Sequence, residues 1–320
     1  GIDVQGNHLF QVAVNLHAPT IANVASNSTL TFDGALNLAG TTLTKTGDGT
    51  VLINNRVALG GGSVIGVQGT IGGEGIIGGD VSNSGGTVAP GNSPGILTVN
   101  GNYTQGAGGT LEIEITGTNP GENGHDQLIV NGNAALDGTL DIVPGAPYSD
   151  PSVRGSSDEM LILTASTVSG TFSTVNYDGS PLEAEFGPDA NGSIRDHVGS
   201  GLFRSVIYSA SDVTVRNLLA LEGAADGDKD IDITDFNSLS ANFDPAGNNS
   251  ATNDWSHADF ELDGDIDITD FKAWSAKFVP SGYSAEGPGQ IPEPTALVLL
   301  TVGIATIIAS IRRSRSAILQ

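Results

Sequence analysis

One seven-residue acidic string, D-I-D-I-T-D-F, is written twice, at residues 230–236 and 265–271, an offset of 35 residues. Carboxylates at alternate places suit one chemistry above others, the chelation of a hard divalent cation. Calcium wants six to eight oxygens. A twelve-residue calcium loop supplies them from its first, third, fifth, seventh, ninth and twelfth places, with glycine at the sixth for a sharp turn. Counted from Asp259, the second copy fits. Asp259, Glu261 and Asp263 stand at the first, third and fifth places, Gly264 at the sixth, Asp267 at the ninth and Asp270 at the twelfth. Asp265 offers its carbonyl at the seventh, and Ile266 points inward at the eighth.

The first copy in the same register is degraded. Asp226, Asp228, Asp230, Asp232 and Asp235 hold the third, fifth, seventh, ninth and twelfth places, but Ala224 stands at the first and Lys229 at the sixth. The alanine removes a carboxylate. The lysine costs on the order of 1 kcal/mol if its place needs a positive φ. The first loop is therefore expected to be the weaker site.

The elements that must hold these loops are helices. Phe236, Leu239 and Phe243 recur at i, i+3 and i+7, and Phe271, Trp274 and Phe278 repeat the spacing. That predicts one apolar stripe per helix, with the two stripes packed together. Two loop–helix units with aspartate at the twelfth place resemble the type I dockerin module, over about residues 221–280. The resemblance implies calcium binding and docking onto a cohesin-like protein, usually within an assembly that degrades extracellular polysaccharide. In that family the tenth and eleventh loop places help choose the partner. Here they are Ile233 and Thr234, and Ile268 and Thr269.

Composition sets the frame. The 320 residues include 36 acidic and 12 basic groups, a formal charge of −24, which argues against nucleic acid and anionic membrane surfaces as partners and favours cations. There is no cysteine, hence no disulfide framework and no cysteine–zinc site. Glycine is abundant, at 45 residues, and aromatics are few, at 5%. The opening Gly1-Ile2-Asp3-Val4 carries neither an initiator methionine nor an apolar signal region, and reads as a mature or truncated start.

Residues 1–216 read as strands and turns. Alternating runs occur at 9–14, Thr29–Phe32, Thr50–Ile53, Ile96–Val99, Thr110–Ile115, Gln127–Val130, 139–143, 160–163 and 206–208, separated by Gly, Asn and Asp clusters. Asn100-Gly101-Asn102 recurs as Asn131-Gly132-Asn133, each between two strands. That suggests stacked coils of about 30 residues, in which asparagines ladder or take left-handed geometry and glycine supplies positive φ. The expectation is a mainly β chain whose body is a β-solenoid, or β-helix, with a sandwich as the alternative. Residues 177–204 are less regular and read as a loop or cap. Residues 43–53 resemble the autotransporter-associated β-strand repeat, and residues 86–99 resemble a segment of bacterial surface β-helices. The resemblance implies passenger-type architecture.

Residues 281–290 read as a linker. The segment 291–316 then combines Pro292-Glu293-Pro294, an uncharged run at 295–311, and Arg312, Arg313 and Arg315. Seventeen residues is the short limit for one transmembrane helix, and the arginines place its C-terminal end in the cytoplasm. The pattern resembles the PEP-CTERM sorting signal. It implies export, recognition by an exosortase-type sorting enzyme, and a cell-surface or extracellular protein anchored to the membrane at least transiently.

Other motifs weigh less. Gly73-Glu74-Gly75-Ile76-Ile77-Gly78 matches G-x-G-x-x-G but lies in a β repeat without a following helix. His8, His17, His125, His197 and His257 show no metal-ligand spacing. Glu112 and Glu114 fall on one outward face of a strand. Trp255 and Trp274 read as core. The first reading is thus a non-catalytic surface protein of structural or adhesion type. The second is a carbohydrate-active lyase or hydrolase β-helix recruited to polysaccharide through its dockerin-like module.

The loop register predicts that Asp263→Ala weakens calcium binding about tenfold or more, as the loss of a charged contact of ~1.5–3 kcal/mol requires. Asp228→Ala should have a smaller effect. Calcium titration of the two variants, followed calorimetrically, compares them.

Overall fold

The computed structural model describes residues 1–55 and 60–282. The described chain falls into two compact units, Gly1–Val198 with Leu202–Leu219, and Gly199–Gly201 with Ala220 onward.

The first unit is all β among its described residues, and its sheets are largely parallel. One sheet has eight strands, from Ile2–Val4 to Thr167–Gly170; a second has nine, from Asn7–Phe10 to Ser180–Pro181; a third has seven. Strands visit the sheets in turn, and each pairs in parallel with the strand one circuit later, as Thr50–Ile53 does with Thr70–Gly73. This arrangement is consistent with a solenoid-like body. Circuits that stay in register stack like on like. Leu30, Val51, Ile71, Val88, Leu111 and Leu140 form one inward column, all buried. One place earlier on the same strands, Thr29, Thr50, Thr70, Thr87, Thr110, Thr139 and Thr174 stack in register. β-branched side chains suit this pleated surface.

The corners between sheets pose a separate problem, because turn carbonyls there face the interior without a ladder partner. One internal column answers it, in the register Lys45, Gly66, Asn83, Gln105. The fully buried Lys45 donates from Nζ to Thr46 O (3.0 Å), Gly47 O (2.6 Å) and Gln68 O (3.0 Å). Asn83 donates to Thr110 O at 3.0 Å, and Gln105 donates to Asp137 O and Thr139 O at 2.8 and 2.9 Å.

The two Asn-Gly-Asn segments do stack. Asn131 Nδ2 donates to Asn100 Oδ1 at 2.7 Å, and the Asn133 N–H donates to Asn102 Oδ1 at 2.9 Å. Their geometry differs from the expectation, since neither the asparagines nor Gly101 and Gly132 have a positive φ. Glycine is needed there for room: a Cβ on Gly132 would lie 2.6 Å from Gly101 O. Most strand expectations hold closely. The run at 9–14 is split into Asn7–Phe10 and Val14–Asn15, with Val12 between them 70% exposed. Residues 177–204 contain two short strands, Ser180–Pro181 and Ile194–Gly199. In the third sheet the pairing changes from parallel to antiparallel where Ser157–Thr164 meets Asp212–Leu219.

The second unit carries two helices, α1 (Ile233–Asn242) and α2 (Ile268–Ala276). Each opens with a capping box, Asp232 with Asp235 and Asp267 with Asp270. Two single β-bridges, Ile231 with Val279 and Ile266 with Asp244, tie the eighth place of each loop to the segment leaving the other copy's helix. The predicted stripes are shorter than i+7. Both helices end a residue or two before that place, so Phe243 caps α1 and is 39% exposed, and Phe278 lies beyond α2. Phe236, Phe271, Trp274 and Phe278 nevertheless form one ring cluster, with Phe236 and Trp274 centroids 5.0 Å apart. No helix among the described residues is long and apolar enough to cross a membrane. Residues 283–290 of the expected linker, Pro292, Glu293, Pro294, the run at 295–311, Arg312, Arg313 and Arg315 lie outside the described residues.

Burial brings Lys45 down to about 8 from 10.5, although Asp48 opposes the shift. Between those values the unfolded chain holds a proton that the folded chain lacks. Lys45 therefore adds stability as pH rises through that window and withholds it below. Thermal melts of the wild type and Lys45→Met should show the difference moving in favour of the wild type from about pH 8 to about pH 10.

Candidate metal centre

Each loop is shaped by carboxylates accepting backbone N–H groups. In the second loop, Asp259 Oδ1 accepts from the Asp263 N–H at 3.2 Å and Oδ2 from the Gly264 N–H at 3.0 Å. Asp263 Oδ1 accepts from Asp265 N–H at 3.1 Å. Asp270 accepts from Phe260 N–H and Asp267 N–H, both at 2.8 Å, and Asp267 accepts from Thr269 N–H at 2.6 Å. These bonds curl the chain so that oxygens of Glu261, Asp267 and Asp270 lie within 4.8 Å of one another. Asp259 and Asp270 are buried and Glu261 is exposed. The turn uses left-handed backbone at Leu262 (φ 58°) and Gly264 (φ 90°).

The first loop repeats most of this geometry 35 residues earlier. Asp235 accepts from Ala225 and Asp226 N–H on Oδ1 and from Asp232 N–H on Oδ2, at 2.6, 3.3 and 2.8 Å. Asp230 N–H donates to Asp228 Oδ1 at 3.1 Å, and Thr234 N–H to Asp232 Oδ1 at 2.6 Å. Carboxylate oxygens of Asp230, Asp232 and Asp235 also lie within 4.8 Å of one another. Lys229 sits at φ 80°, the equivalent of Gly264, so the strain expected of a lysine at that place is present.

Crowded carboxylates disfavour their own charge. Asp235 is raised to about 7, by burial first and by Asp226 second, against the pull of its three N–H donors. Burial raises Asp270 as well, with Asp259 and Asp267 adding to the effect. Desolvation raises Glu261 and Asp265, and four neighbouring aspartates push each of them further. Asp265 Oδ1, at the seventh place, is among the buried side-chain oxygens with no hydrogen-bond partner. The donor set is hard oxygen throughout, which fits calcium or magnesium and not a thiophilic metal.

Ile233, Thr234, Ile268 and Thr269 are all exposed, the two isoleucines at 51% and 52%. Three contributions were not foreseen from sequence. The buried Trp255 indole donates to Ala224 O at 2.8 Å, and the Trp274 indole to Asp232 O at 2.9 Å. Both tryptophans are core, as expected, but a buried indole N–H also needs an acceptor, and that requirement is the signal that points to them. The third is Asn253, which donates to Gly264 O at 3.0 Å from the segment between the copies.

Elsewhere, Gly73 ends a strand and the next elements are the strands Ile76–Ile77 and Asp80–Asn83, so the G-x-G-x-x-G string opens no helix. Glu112 and Glu114 share the outward face of Thr110–Ile115, both half-buried, with Asp141 beside Glu112 in register. The chain matches no family model and no curated protein.

A raised carboxyl stabilises the fold most below its unfolded value and loses that contribution as pH rises through the folded one. For Asp235 the window runs from 3.8 to about 7. In chelator, the melting temperature of the second unit should therefore fall as pH rises across that window. Calorimetric melts at fixed ionic strength measure the fall.

Proposed function

We propose that the second unit is a calcium-dependent docking module of dockerin type, carried by an exported surface protein whose β body acts as a structural or adhesive stalk. The observation that carries the reading is the second loop. Three carboxylates converge within 4.8 Å, and Asp259 folds the turn beside them. By the loop register, Asp263 and the carbonyl of Asp265 would complete a set of hard ligands with them. Calcium would neutralise the mutual repulsion of these acids and so couple metal binding to the order of the module.

The docking face follows from the repeat. Ile233 with Thr234 and Ile268 with Thr269 present equivalent apolar–hydroxyl pairs at the starts of α1 and α2, outside the ring cluster. A cohesin-like domain is the partner chemistry this suggests. Delivery to the envelope rests on the sequence of the tail: Pro-Glu-Pro for an exosortase-type enzyme, then a hydrophobic run that anchors the chain during sorting. A polysaccharide is the surrounding material such a protein would meet.

The test is a calcium titration of the chelated protein, followed by tryptophan fluorescence and circular dichroism, with a cohesin-type domain added at each end point. The reading predicts ordering of the module by millimolar calcium and capture of the domain only with calcium. Ile233→Asp with Ile268→Asp should abolish capture while leaving the spectroscopic transition in place. A signal indifferent to calcium would refute the metal reading. Calcium-dependent ordering without capture would refute the docking partner alone.

A further inference from the structure

The two loops share a register but not a set of supports, and the difference bears on how many ions the module takes. We infer that the first loop is a metal-independent strut, and that the module takes a single divalent cation, in the second loop. This rests on the calcium reading of the second loop given above.

Three observations carry it. First, the fifth-place N–H changes acceptor. In the second loop Asp263 N–H bonds to first-place Asp259. In the first loop Ala224 supplies no carboxylate, and Asp228 N–H bonds at 3.2 Å to Asp226 Oδ1, at the third place. Asp226 is buried in the turn, whereas third-place Glu261 stays exposed in the second loop. The first loop thus lacks the first-place ligand and packs its third-place side chain inward.

Second, the first loop has braces that need no ion. The Trp255 indole holds Ala224 O at its start, and the Trp274 indole holds Asp232 O at its ninth place. Both donors come from outside the first loop–helix copy. The support on the second loop is of another kind, a side-chain amide from Asn253 to Gly264 O, while the eighth-place bridge is common to both loops. Third, charge differs. The first loop has five acids and the cation Lys229 within its own turn; the second has six acids and no base. A built-in positive charge lowers the attraction for a metal and lowers the repulsion that metal would relieve.

The test measures stoichiometry and local protection on the full chain. Equilibrium dialysis against calcium should give one ion per chain for the wild type and for Asp228→Ala, and none for Asp259→Ala. Hydrogen exchange on the wild type keeps the test independent of whether any variant folds. The amides of Ala225 and Asp232 should be equally protected in chelator and in calcium, while those of Phe260 and Asp267 gain protection only with calcium. Two ions per wild-type chain would overturn the inference and leave the calcium reading standing. So would a calcium-dependent gain at Ala225 and Asp232 equal to that at Phe260 and Asp267. No ion at all would overturn the calcium reading itself.

Discussion

Electrostatic repulsion among carboxylates packed along a dozen residues is the constraint from which the second unit takes its form. Backbone N–H groups absorb part of it. Asp270 and Asp235 each sit at the third position of a helix and accept amides from the loop before it, so one side chain both caps a helix and closes a loop. Burial first, and the neighbouring acids after it, push Asp235, Asp270, Glu261 and Asp265 upward. Proton uptake and cation binding are two ways of relieving one strain. The aromatic cluster of Phe236, Phe271, Trp274 and Phe278 gives the helices a common apolar anchor.

The first unit meets the opposite difficulty. It has few aromatics and no disulfides, and it gains its core from repetition. In-register parallel pairing places Leu30, Val51, Ile71, Val88, Leu111 and Leu140 in one continuous column, each fully buried with a modest side chain. Burial of this kind is worth about 1.5–3 kcal/mol per aliphatic side chain, so a long column substitutes for a few large anchors. The price of winding is paid at the corners, where Lys45, Asn83 and Gln105 reach the inward carbonyls.

Much of this was legible in the sequence. Strands such as Thr110–Ile115 alternate so cleanly that period and burial coincide, and the duplicated heptapeptide fixed the loop register, including the left-handed sixth place now seen at Lys229. Other features were not. A single sequence does not show which circuit lies against which, so the stacking of Asn131 on Asn100 was suggested by repetition while its tightly packed geometry without positive φ was not. The apolar stripes overran the helices by a residue or two at Phe243 and Phe278, because apolar spacing continues past the point where the backbone stops. The indole bonds of Trp255 and Trp274 join residues 31 and 42 apart, a distance over which sequence pattern carries no geometry.

The account stands or falls on where a cation sits. Anomalous diffraction from crystals grown in calcium would locate it directly. The account predicts a peak about 2.3–2.6 Å from oxygens of Asp259, Asp263 and Asp270 and from the carbonyl of Asp265, the range calcium takes with oxygen ligands. A well-ordered second loop with no peak at that centre would contradict it.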